Sequence, residues 1–113
     1  MQKQFEILNE ICKQFFKSPK KIESLRYIYR FNPSENWVGT RLLTIIEGKK
    51  TPLGLPSEVM DHIEYLCQQL HDEMQAHTGG DWRKFVLMLD EKGEAKTQFI
   101  YDIQSCMDEF KDD

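Results

Sequence analysis

Three histidines, His62, His71 and His77, carry the side chains best suited to acid–base or metal chemistry near neutral pH, and they fall in one short stretch. On a helix turning by about 100° per residue, His62 and His71 point in nearly opposite directions and cannot share a ligand. Cys67 with His71, and Glu73 with His77, stand four residues apart, so each pair could form half of a metal site. No CxxC, HExxH or third ligand at a useful spacing completes either half. Nucleophilic catalysis has no better footing, since there is no GxSxG elbow and no cysteine in a recognisable reactive motif. Gly79-Gly80 and the glycines at 48 and 54 are not followed by the Lys-Ser/Thr of a phosphate cradle. Carboxylates abound, but in an acidic chain they read first as solvated surface. The pattern predicts a protein that is not an enzyme and uses no metal or cofactor.

These residues sit on a helix that the sequence marks clearly. Val59, Ile63, Leu66, Leu70 and Met74 recur at three- and four-residue steps, widened by Met60 and Cys67, and predict a helix over 57–77. Pro56-Ser57-Glu58 suits its first turn, and Thr78-Gly79-Gly80 stops it. An earlier stripe of Phe5, Leu8, Ile11, Cys12, Phe15 and Phe16 predicts a first helix over 2–17, ended by Ser18-Pro19.

Alternation at a period of two marks the strands. In 22–31, Leu25, Tyr27, Tyr29 and Phe31 share one face, with Arg26, Ile28 and Arg30 on the other. Asn32 to Asn36 form a loop, and Val38 to Ile46 carry the β-branched and aliphatic residues of a second strand, giving a hairpin over 22–47. Residues 48–56 read as a loop. The stretch 82–103 reads as a second hairpin, with Asp90-Glu91-Lys92-Gly93 as its turn and Gly93 at positive φ. Residues 104–113 form a tail that adds a short terminal helix or frays. The expected fold class is therefore α+β, in the order α-β-β-α-β-β. It has a four-stranded antiparallel sheet with two amphipathic helices on one face.

At 113 residues, one domain over 1–113 with a single core is expected. No apolar run approaches the ~20 residues that span a bilayer, and the charged N-terminal stretch does not read as a signal peptide. Cys12, Cys67 and Cys106 are odd in number and far apart, which fits a reducing, cytoplasmic setting better than a disulfide framework. The net charge of −4 weighs against a general nucleic-acid binder and suits a basic protein partner.

Two surfaces follow from the alternation. If the helices cover the face bearing Tyr27, Tyr29, Phe85, Leu87, Phe99 and Tyr101, the other presents Ile28, Val86, Met88 and Ile100 inside a rim of Arg26, Arg30, Lys84, Gln98 and Asp102. An apolar centre in a charged rim is the anatomy of a protein interface. The competing reading has the tail (Met107, Phe110) or the loop (Leu53, Leu55) folded over it. The strand 25–31 also combines arginines with tyrosines, as base-stacking sheets do. Here, though, rings and guanidinium groups project to opposite faces.

A tryptophan opening an L-x-L strand, a glycine turn and an aromatic F-x-Y-D strand follow a long acidic helix. The residues are Ile63-Glu64-Tyr65-Leu66 through Met74, then Trp82, Leu87, Leu89, Gly93, Phe99, Tyr101 and Asp102, with looser agreement at Tyr27, Tyr29 and Phe31. This text resembles the YezG-type antitoxin or immunity family, well over the last half of the chain and by architecture over the first. The chain has Tyr101-Asp102-Ile103 where that family often reads Tyr-Asp-Tyr.

The resemblance implies a small cytoplasmic antidote that binds and blocks a cognate bacterial toxin domain in contact-dependent growth inhibition or a polymorphic-toxin system. The implied partner is the toxin's C-terminal domain, a basic nuclease, with an RNase ahead of a DNase. It would be held in a 1:1 complex by occlusion of its active site, with no membrane and no direct nucleic-acid contact. The resemblance assigns no inhibitory residue. Charge and patterning nominate Asp61, Glu64, Asp72 and Glu73 on the second helix, Asp90, Glu91 and Glu94 at the hairpin turn, and Val86, Met88 and Ile100 as apolar anchors. The alternative is a small RNA-binding or regulatory module using strand 25–31 with Arg26, Arg30 and Lys84.

Overall fold

A computed structural model describes residues 2–18 and 20–103. The expectations placed on Pro19 and on the tail with Cys106, Met107 and Phe110 lie outside the described residues. Helices α1 (Gln2–Phe15) and α2 (Ser57–Thr78) accompany strands β1 (Ser24–Asn32), β2 (Trp37–Ile46), β3 (Lys49–Lys50), β4 (Lys84–Asp90) and β5 (Ala95–Ile100). The described chain resolves into two compact units that interleave along the sequence. One joins the segment up to Lys21 with Pro52–Asp81, and the other joins Ile22–Thr51 with the residues from Trp82 onward.

The first unit is the helix pair, with α1 packed on α2. α2 buries Ile63, Leu66, Cys67, Leu70 and His71. It ends where Gly79 turns left-handed at φ +74° and its N–H donates to the Gln75 carbonyl at 3.0 Å, a glycine stop that satisfies a terminal carbonyl. α1 corrects the predicted stripe. Its buried residues are Gln4, Ile7, Ile11, Gln14 and Phe15, while Phe5 and Phe16 are 61% and 48% exposed. At about 100° per residue, Phe5 and Phe16 lie more than a quarter-turn from the Ile11–Phe15 line, so the helix buries Phe15 and leaves the Phe5 ring, and that of Phe16 just past its end, outside the buried stripe. Gln14 enters the core because its Nε2 donates to Glu10 Oε1 at 2.9 Å.

The second unit is an antiparallel sheet in the order β3-β2-β1-β4-β5. Five strands replace the expected four. The extra one arises because Glu47 and Gly48 both adopt positive φ, +53° and +76°. This two-residue loop has the type I′ geometry that matches strand twist and returns the chain as a hairpin. Ile46 then pairs with Lys49 and Ile45 with Lys50, and Glu23 Oε1 accepts the Gly48 N–H at 3.0 Å. The other turns carry the expected chemistry. Asn32 Oδ1 accepts the Ser34 and Glu35 N–H groups, and Gly93 sits at φ +80°.

β1 is the axis of this sheet, paired with β2 on one side and β4 on the other. Register places Leu25, Tyr27 and Tyr29 beside Leu89, Leu87 and Phe85 on one face, and Arg26, Ile28 and Arg30 beside Met88, Val86 and Lys84 on the other. Trp82, fully buried, gathers an aromatic cluster on the first face. Its ring centroid lies 5.6–6.3 Å from those of Phe99, Phe31, Phe85 and Tyr29, and Phe85 stacks on Phe99 at 5.3 Å. Edge-on and offset rings at these separations attract beyond the area they bury.

Candidate functional site

The nominated acids on α2 divide by helical phase. Asp61 and Asp72 are exposed, and about 20° apart around the helix axis. Exposed Glu58 and Tyr65 join them on the stripe opposite the buried Ile63, Leu66 and Leu70. Glu64 flanks this stripe. Burial, and then the neighbouring Asp61 charge, push its carboxyl above the ordinary carboxylate range. Glu73 lies farther round, paired with His77 Nε2 at 2.8 Å, and lines a small cleft with Lys3, Ile7, Gln69 and Asp72. Between Ser57 and Thr78 there are five acids and no lysine or arginine.

Tyr65 is the residue on this stripe that sequence reasoning left in the family pattern without a role. It is 58% exposed, stacks on His62 at 6.2 Å and 18°, and its hydroxyl accepts from Gln69 Nε2 at 2.9 Å. Two neighbours thus hold an exposed ring in place. The readable signal was its spacing, since residue 65 falls four after Asp61 and seven before Asp72.

His71 does not share a centre with the other histidines. Its ring, buried within the helix unit, directs Nδ1 to Asp72 Oδ1 at 2.9 Å and Nε2 to Asp81 Oδ1 at 2.7 Å. It clasps the end of α2 to the segment leading into β4. Among the described residues, no group of three or more His, Cys, Asp or Glu is placed to hold a metal ion. Cys12 is half-buried, and that burial raises its thiol above its ordinary value, which opposes thiolate formation.

The hairpin candidates fare unevenly. Glu91 and Glu94 are exposed at the turn. The Asp90 carboxylate instead builds that turn, its Oδ1 accepting the Lys92 and Glu94 N–H groups at 2.9 Å each. Met88 is 38% exposed and Ile100 half-buried, but Val86 is 1% exposed and Ile28 fully buried. The apolar centre of the second sheet face is therefore already covered in the folded chain, and Val86 cannot reach a partner unless that cover moves. The alternation correctly put Val86 on this face, but period two says nothing of what lies above it.

The stacking platform considered for RNA is also inside the fold. Tyr27, Tyr29 and Phe31 are at most 6% exposed, and Arg30 and Lys84 are 4% and 8%. Arg30 lies over the Trp37 ring at 5.3 Å. Gly39 makes room for it, because a Cβ there would come within 3.3 Å of Arg30 Nη2 and 3.5 Å of Trp37. No ring of strand 25–31 presents an open face to a base.

No protein-family model matches the chain, and a search of curated proteins finds no matching sequence. No helix among the described residues is long and apolar enough to cross a membrane.

Proposed function

We propose that this chain is an immunity protein of the YezG-like kind that neutralises a basic toxin domain by binding it, without chemistry of its own. The observation that carries the reading is the outward stripe of α2, a helix with no lysine or arginine of its own, in which Glu58, Asp61 and Asp72 surround a held, exposed Tyr65. An acidic rim speeds encounter with a basic cleft, and a rigid aromatic loses little entropy when it is buried. Glu64, flanking the stripe, is strained as an anion in the isolated chain by burial and by Asp61. A partner's lysine or arginine would relieve that strain on binding. The nuclease class, with an RNase ahead of a DNase, and the cytoplasmic setting belong to the same proposal and rest on the family resemblance.

Co-expression with the toxin domain encoded beside it tests the proposal. The expected result is a 1:1 complex and rescued growth, with rescue weakened by the pair Asp61→Lys and Asp72→Lys. Free, active toxin in the co-expressed mixture refutes it.

A further inference from the structure

β5 closes one end of the sheet order, and its outer edge faces away from β4. Which backbone groups lie on that edge is fixed at both ends of the strand. Asp90 N–H donates to the Glu94 carbonyl at 3.1 Å, and Arg83 N–H donates to the Ile100 carbonyl at 2.8 Å. Glu94 and Ile100 thus turn their carbonyls inward. With Met88 opposite Lys96 and Val86 opposite Gln98, the even-numbered residues face β4. In an antiparallel ladder the direction alternates, so the N–H and C=O groups of Ala95, Thr97 and Phe99 point outward. The side chains of Lys96, Thr97 and Gln98 are exposed, and among the described residues no strand pairs with this edge.

An open row of donors and acceptors is a template for another strand. The strand's own sequence suits a second copy of itself. In a two-fold antiparallel pair, the outward groups meet as bonded pairs when Thr97 lies opposite Thr97 of the other copy. Ala95 then faces Phe99, a small residue against a large one, and Lys96 faces Gln98, so no like charges oppose. Threonine pairs across strands are favourable, whereas opposed like charges are not.

We propose that β5 pairs edge to edge with β5 of a second copy, about a two-fold axis at Thr97, to make a continuous ten-stranded sheet. Six residues per strand give a small interface, so the dimer is weak and depends on concentration. The inference is independent of the toxin-binding reading, which uses α2.

Sedimentation of the full chain over a wide concentration range tests it, with amide hydrogen exchange as a second readout. The mass should rise from one chain toward two, with exchange at Ala95, Thr97 and Phe99 slowing in step. Thr97→Pro removes an outward N–H and spares the β4 ladder, a position where an edge strand tolerates proline. It should remain monomeric with an unchanged circular dichroism spectrum. Thr97→Lys, which opposes two lysines on the axis, should be monomeric at low salt and partly restored at high salt. A wild type that stays monomeric at the highest concentration overturns the proposal. So does a dimer that survives both substitutions. Protection of these amides that appears only with a different protein would assign the edge to that partner and equally overturn self-pairing.

Discussion

Replacing Trp82 by alanine is the sharpest test of how the sheet unit is held. The side chain is fully buried and touches four other rings at centroid separations of 5.6–6.3 Å. Burying a tryptophan removes roughly 150–250 Å² from water, which at about 25 cal/mol per Å² is about 4–6 kcal/mol as an upper bound. Measured truncations of this kind cost about 3–5 kcal/mol. Against the roughly 5–15 kcal/mol of a typical domain, that is a large share. Trp82→Phe keeps one ring in contact and should cost about half as much, in the order the cavity model predicts. Urea unfolding followed by far-ultraviolet circular dichroism measures both. Trp37, the one tryptophan left in either variant, reports the β1–β2 side by its fluorescence. A loss below about 0.5 kcal/mol for Trp82→Ala would fall within the range of surface substitutions. The aromatic cluster would then not be the packed centre of the sheet unit.

Other substitutions probe other elements. His71→Phe keeps a ring but strips partners from Asp72 and Asp81, and should cost about 1–3 kcal/mol. Amides at Asp81 and Trp82 should exchange faster in that variant, and unchanged exchange would show that the clasp orders nothing. Gly48→Ala meets no atom within 4 Å but must hold φ at +76°, so it should lose about 1 kcal/mol through backbone strain alone. Glu47→Asn, at φ +53°, should gain a few tenths. Because Glu64 is raised above its ordinary 4.5 in the folded chain, the folded state binds that proton more tightly than the unfolded one. Its contribution is therefore full below 4.5 and is lost as pH rises through the higher folded value. Glu64→Gln should flatten that part of the stability–pH profile and stabilise the free protein near neutrality. An unaltered profile would show that neither burial nor Asp61 bears on the carboxyl.

Local chemistry carried much of this fold into the sequence. The period of α2, its glycine stop, the alternation in β1 and β4 and the Gly93 turn depend on neighbours within a few residues, and each can be read from residue type and spacing. Three features escaped that reading for different reasons. In α1 the larger rings of Phe5 and Phe16 outweighed Ile7 in a hydrophobicity pattern, yet packing selected the stripe through Ile11 and Phe15. β3 required Glu47, a residue with little liking for positive φ, to take the left-handed conformation, which the pairing of Lys49 and Lys50 with Ile46 and Ile45 and the Glu23 carboxylate on the Gly48 N–H support. The His71–Asp81 contact spans ten residues and the break of a helix end, beyond any spacing rule.

The candidate site divides in the same way. The sequence by itself determined the charge and one-sidedness of α2, because helical phase follows from residue number alone. Tertiary structure decided exposure. It buried Val86 and the rings of strand 25–31, committed Asp90 to its turn and left Tyr65 standing among the acids. Periodicity says which residues share a face, but only the packed chain determines which faces are covered.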